Sequence, residues 1–376
     1  MSRAKELSFY AIGAMLFALL IETLSFAFGA FFAPKMFSAE DEYFAAIRPS
    51  QFEQWKASPR FDAELGWNNP AQRMTETKKN CLGHDVRYTF GDEQRGVARP
   101  GVPAVALFGD SYTEGAEVDD DSTMSAALER IINAPVVNFG FGGSGPDQSV
   151  LKFERLASGR KMPKLAILVI THENIRRVVN SFRSVLTSGF GLDTPFSFKP
   201  YIAGDTWVKA KNVASYVEFL AEAKRRFKQD FWATPRFAFP YSISLFRAVM
   251  SNSYYYRNIA PWGRPRYFYE YSTDNPLLAA LTTVIDRWRS SVSAAGSVPI
   301  ILFVPSDARD RGVSAEYVKS LNARAGQTFA FEFDDPSMDW DQYNLGRIGR
   351  CHPSPYGQER IAAFIADKIL KQGASH

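Results

Sequence analysis

The stretch PAVALFGDSYTEG, residues 103–115, decides the reading of this chain. Its first half is a short apolar run that ends on Gly109, the mark of a strand buried on both faces. Asp110 and Ser111 follow at once, at what becomes the carboxyl end of that strand. In an open α/β sheet, ligands bind in the crevice outside the carboxyl ends of the strands. A serine there is reachable by a substrate, and its own backbone N–H points into the same crevice. The tripeptide alone is weak evidence, because Asp-Ser is also a common turn or helix-capping pair.

The flanking sequence repeats the alternation. Asp121 or Ser122 can cap a helix over TMSAALERII, and APVVNFG (134–140) reads as a second strand. PDQSVLKFERLA (146–157) is a helix with proline in its first turn, and KLAILVIT (164–171) is a third strand. A helix over 276–294 precedes the strand VPIILFVP (298–305); 314–325 is helical, and TFAFEF (328–333) is a fifth strand. The final stretch 355–372 has apolar residues at 361, 364, 365, 369 and 370, a helical stripe. Strands alternating with helices predict a mostly parallel sheet covered on both faces. Between about 181 and 275 the pattern loosens into a stretch rich in Phe, Tyr, Arg and Pro, read as an insertion. It is either a sugar-binding or membrane-facing lid or, with slightly more weight, a structural subdomain.

Composition narrows the classes of function. The 376 residues hold 44 Lys+Arg against 40 Asp+Glu, a net charge of +4, with no basic stripe interleaved with aromatics, so nucleic acid is not an expected partner. The two cysteines, Cys81 and Cys351, form no CxxC or Cys/His cluster, and no metal site or other cofactor is expected.

The N-terminus places the chain. An apolar run from Leu7 to Ala33, interrupted by the ionisable Glu22, exceeds the ~20 residues that cross a bilayer. It reads as a transmembrane signal anchor, with Arg3 and Lys5 favouring a cytoplasmic N-terminus; the alternative is a cleaved signal ending near Gly29-Ala30. Glu22 either faces a partner helix or sits near the outer interface. The expected organisation is an anchor over 1–33, a connecting region of loop and short strands over 34–100, and an α/β domain over 101–376. The body then lies outside the cytoplasm, at the inner membrane facing the periplasm or exterior, where Cys81 and Cys351 can form one disulfide.

Three further segments accompany Ser111. The second strand ends in NFGFGGSG, whose glycines let backbone N–H groups approach a ligand. The third ends in THEN, where Asn174 either offers an amide to the crevice or caps the next helix. His352 lies in CHPSPYG, in a loop before the last helix. In this order the segments resemble the GDSL-type, or SGNH, hydrolases, from about Pro103 to Leu370. The chain also resembles a membrane-anchored subgroup in which a phrase like FDAELGW (61–67) precedes the catalytic domain. The resemblance implies a flavodoxin-like three-layer α/β sandwich, with Ser111 as nucleophile and His352 as base. It implies an oxyanion hole from Gly143 (Gly142 being its close competitor) and Asn174. Asp110 and Gly142 are expected to touch substrate.

The family's aspartate three residues before the histidine is replaced by Gly349, so the acid behind His352 is either missing or expected from Asp339, Asp341 or, less well, a backbone carbonyl. The aspartate after the asparagine is Ile175, and His172 and Glu173 are expected to face solvent. The function implied is an esterase on O-acyl, foremost O-acetyl, groups of a polysaccharide or glycolipid. An O-acyltransferase using the same acyl-enzyme is the second reading. The third is a non-catalytic carbohydrate-binding subunit working with envelope polysaccharide assembly proteins.

Overall fold

The structure is a computed structural model that describes residues 3–37, 40–96, 99–186, 196–262, 267–346 and 351–370. The chain divides into two compact units, one of residues 1–53, 182–196 and 213–262, the other of 54–181, 197–212 and 263–376.

The second unit holds a five-stranded sheet. Its strands are β1 (Val105–Phe108), β2 (Val136–Asn138), β3 (Leu165–Thr171), β4 (Val298–Val304) and β5 (Ala330–Glu332). All pairs are parallel, in the order β2-β1-β3-β4-β5. This is the flavodoxin-like order, and its topological switch point lies between β1 and β3. In β3 all seven residues are buried, which explains an apolar run without alternation.

One face packs on helices Met124–Ile132 and Pro355–Phe364, with Met124, Leu128, Ile361 and Ile365 set against Val105, Leu107, Ile167 and Leu302. On the other face Phe108 meets Phe153 and Trp288, from helices Pro146–Gly159 and Pro276–Ala294. The result is a three-layer α/β sandwich. The cap of the helix after β1 is Thr123, whose side chain accepts from the Ala126 N–H, rather than Asp121 or Ser122. The last helix is α-helical only to Phe364 and continues to Leu370 as a π-turn.

Residues 34–100 are more ordered than a connector. They contain helices Glu40–Ala46 and Pro49–Lys56, and an antiparallel three-stranded sheet of Met74–Lys79, Asp85–Gly91 and Gln94–Arg95.

The first unit begins with α1 (Arg3–Ala27), which runs on as a π-turn to Phe32. This element is long and apolar enough to cross a membrane. Glu22 faces a partner helix, α2 (Tyr241–Val249), where the Tyr241 N–H donates to Glu22 Oε2 at 2.5 Å and the Ser242 hydroxyl donates to Oε1. A carboxylate at a helix N-terminus satisfies orphan N–H groups and complements the helix dipole. Part of the aromatic-rich stretch faces inward here. Tyr43, Phe182 and Phe227 pack edge-on or tilted against one another, as do Phe52, Phe196 and Phe219, and all six are buried. These rings build a core, while Phe239, Phe246, Trp262 and Phe268 are exposed.

Candidate active site

Ser111 opens a one-turn helix (Ser111–Glu114) immediately after β1, capped by Asp110. The turn delivers the Ser111 hydroxyl to His352, whose Nε2 lies 2.8 Å from Ser111 Oγ. These two residues are 241 positions apart in sequence and meet because the last loop returns over the end of β1. The Tyr112 ring stands edge-on to the imidazole, with centroids 5.6 Å apart.

The acid behind the imidazole is Glu117. Its Oε2 is 3.2 Å from His352 Nδ1 and also accepts the His352 backbone N–H at 2.8 Å. The Nδ1 contact is close but poorly aligned as a hydrogen bond, a looseness common before substrate binds. Partial burial raises the Glu117 pKa, but the hydrogen bonds and charge of His352 outweigh it, so the carboxyl is held below its ordinary range. Glu117 has φ 71°, unusual for a residue with a Cβ. Tyr88 Oη accepts its N–H at 2.5 Å and fixes that strained turn. Asp339 and Asp341 are not behind His352: Asp339 caps the turn Trp340–Tyr343, its carboxylate accepting the Asp341 N–H. Gly349 lies outside the described residues. No signal singled out Glu117, since GDSYTEGAEV holds both Glu114 and Glu117 and the family pattern directs attention to the residues just before the histidine.

Cys81 and Cys351 are joined in a disulfide, with Cα atoms 6.0 Å apart. It ties the residue preceding His352 to the turn after Met74–Lys79.

Asp110 does not reach a substrate. It is 1% exposed; Oδ1 accepts the Tyr112 N–H, and Oδ2 accepts from Asn174 Nδ2 at 2.8 Å, Thr171 Oγ1 at 3.2 Å and Arg177 Nη1 at 3.0 Å. With its lone pairs occupied, it anchors the nucleophile turn to the end of β3. Asn174 is the other half of that anchor. Its Nδ2 donates to Asp110 and, at 2.7 Å, to Thr171 Oγ1, so both amide hydrogens are committed within the protein. The structure therefore brings Asn174 next to the nucleophile turn but not with a donor free for an oxyanion.

The glycine turn after β2 supplies other donors. Gly143 sits at φ 74°, a conformation that favours glycine. The N–H groups of Ser111, Gly142 and Gly143 donate to no acceptor among the described residues. Gly140 permits the approach of this turn to the Ser111–Glu114 turn, because a Cβ there would stand 2.5 Å from the Glu114 backbone nitrogen. The segment FDAELGWNNP clamps the turn from outside. Trp67 Nε1 donates to the Gly142 carbonyl at 2.9 Å and Asn69 Nδ2 to the Gly140 carbonyl at 2.7 Å. Gln148 Nε2 donates to the Leu65 carbonyl at 2.7 Å.

His172 does not face solvent. It is fully buried, with Nε2 3.1 Å from Ser314 Oγ, and burial pushes its pKa down to about 3, leaving a neutral structural imidazole. Glu173 is partly exposed and pairs with Arg177 one helical turn on.

Comparisons with known proteins were made by sequence and by structure. No family model matches the chain, and no curated protein matches it. Among solved structures it is similar to a member of the lipolytic protein G-D-S-L family from Veillonella parvula, at 12% identity and TM-score 0.33, over 71% of this chain and 98% of that one. It is similar to an acetyl xylan esterase from the rumen bacterium Butyrivibrio proteoclasticus, at 11% identity and TM-score 0.34, over 77% and 69% of the two chains. A third is a salicylyl-acyltransferase from a tetracycline biosynthetic pathway, at 13% identity and TM-score 0.31, over 73% and 56%.

Proposed function

We propose that this chain is a membrane-anchored, extracytoplasmic serine esterase that removes O-acyl groups, O-acetyl foremost, from a polysaccharide or glycolipid. The observation that carries the proposal is the hydrogen-bonded line Ser111 Oγ–His352 Nε2 with Glu117 at the other ring nitrogen. A serine hydroxyl is a weak nucleophile until an adjacent base takes its proton, and the base must be held in one tautomer to do so.

In the first step His352 Nε2 accepts the Ser111 proton as Oγ attacks the ester carbonyl. The oxyanion that develops is held by N–H groups of Ser111 and the Gly142–Gly143 turn; one such donor typically contributes ~10²–10³ in turnover. Glu117 stabilises the imidazolium that forms. His352 then protonates the leaving sugar oxygen, and an acyl-Ser111 ester remains. Water, deprotonated by His352, attacks that ester, and the imidazolium returns the proton to Ser111 Oγ as the free acid leaves. Glu117 occupies the place that a non-catalytic subunit would leave empty, which weighs against that reading.

Three features support the location. α1 is long and apolar enough to span, Arg3 and Lys5 flank its N-terminal side, and a disulfide suits an oxidising compartment. The test is turnover of a small acetyl ester and of an acetylated oligosaccharide, with products read by mass. Free acetate, lost in Ser111→Ala, is expected. Robust turnover by Ser111→Ala, or acyl transfer to added sugar with no free acid, would overturn the esterase reading.

A further inference from the structure

α2 carries a face that the protein does not cover. Ser244 and Ala248 are buried on one side of it. On another side Ile243, Phe246 and Met250 are 47, 66 and 68% exposed, and Phe239, just ahead of the helix, is 73% exposed. At 100° per residue, positions 243, 246 and 250 project within about 60° of one another. Single exposed apolar residues are ordinary on a protein surface; Ile243 and Phe246 on the helix, with Met250 at its C-cap and Phe239 just before it, form a patch.

The patch continues an apolar element already present. α2 is joined to α1 through Glu22, and Phe26 of α1 packs on Phe237 and Tyr241 at ring-centroid distances of 5.9 and 5.0 Å. The sixteen residues from Leu7 to Glu22 span about 22 Å at a rise of 1.5 Å per residue, against a hydrocarbon core of ~30 Å. The N-terminus of α2 therefore meets α1 just inside the outer boundary of a bilayer that α1 spans. Interfacial helices bury their apolar face ~5–10 Å into that same boundary.

The flank of the same face next to Ile243 is basic apart from Glu40. A cavity of about 470 Å³ beside α2 is lined by Phe239, Ile243, Lys228, Arg236 and Arg247. Arg236 pairs with Asp41. Lys228 and Arg247 make no ion pair among the described residues.

We propose that α2 is a second membrane element. It lies in the outer leaflet with Phe239, Ile243, Phe246 and Met250 among the acyl chains and Lys228 and Arg247 at the level of the lipid phosphates. Glu22 is then an internal cap shared by two membrane-embedded helices, which accounts for an acidic residue in an otherwise apolar anchor. The inference rests on α1 spanning the bilayer and is independent of the Ser111 chemistry.

The test uses the full chain in vesicles of phosphatidylethanolamine and phosphatidylglycerol. Both native cysteines are in the disulfide, so single nitroxide labels can be placed through Phe246→Cys, Met250→Cys, Leu16→Cys and Glu316→Cys. Glu316, a strongly exposed charged residue, is the water reference, and Leu16 is the bilayer reference. Collision with oxygen, which concentrates in lipid, is compared with collision with a water-soluble nickel chelate. The expected result is an oxygen-to-nickel ratio several-fold higher at 246 and 250 than at 316, approaching that at 16. Ratios at 246 and 250 equal to that at 316, with 16 still lipid-exposed, would overturn the proposal while leaving the anchor intact. A water-exposed label at 16 would remove the anchor and the proposal together.

Discussion

Glu117 follows Ser111 by six residues in sequence and stands behind the His352 ring in space. Ser111 and His352 were legible because a strand end and a terminal loop are recognisable punctuation. Glu117 was not, because its role depends on a left-handed turn at φ 71° held by Tyr88, and no propensity announces that turn. Asn174 failed in the opposite way. Its position at the end of β3 was readable, but both amide hydrogens go to Asp110 and Thr171, partners fixed only by the packing of β1 beside β3. The account predicts that Glu117→Gln, which keeps the shape but removes the charge that stabilises the imidazolium, lowers kcat on an acetyl ester by about 10² or more. KM and the melting temperature should change little. Wild-type kcat in this variant would show that Glu117 does not act through His352.

At the scale of the element, each site residue stands at a junction. β1, β2 and β3 end side by side, and their three following turns carry Ser111, Gly142–Gly143 and Asn174. The strands were readable to within a residue or two from apolar runs closed by glycine or a polar residue. The purpose of FDAELGW was not, since a short hairpin pairing Phe61–Asp62 with Gly66–Trp67 gives no periodic signal. The structure makes it a clamp on the glycine turn through Trp67 and Asn69. Trp67→Phe keeps an aromatic ring but deletes the donor to the Gly142 carbonyl. It is expected to lower kcat about tenfold with little change in KM, because a displaced oxyanion donor acts on the transition state. A kcat unchanged in Trp67→Phe would separate the clamp from the oxyanion turn.

Across the whole molecule, a mostly parallel sheet covered on both faces was expected from strand–helix alternation, and a flavodoxin-like sandwich from the family resemblance. The division into two units was not. The first unit gathers residues 1–53 with two later stretches, and such long-range assembly leaves no mark in local sequence. Its aromatic residues were read as a lid or, with slightly more weight, a structural subdomain, and many of them form a core. Stability of the fold carries its own prediction. Burial lowers the His172 pKa to about 3, whereas an unfolded histidine titrates near 6.5. Between those values the unfolded chain binds more protons, so this group's contribution is complete above about pH 6.5 and declines as pH falls towards 3. Urea midpoints for wild type should therefore drop more between pH 7.5 and 4.5 than those for His172→Asn. An equal drop in both would show that His172 is not buried as described.

The central claim is that Ser111 is a nucleophile activated by His352 and Glu117. The most direct measurement is covalent labelling by a fluorophosphonate, followed by mass mapping of the modified peptide. The account predicts one adduct, on Ser111, formed much more slowly in His352→Ala and Glu117→Gln and absent in Ser111→Ala. No adduct on the folded wild-type protein, or an adduct that persists at another residue in Ser111→Ala, would contradict it.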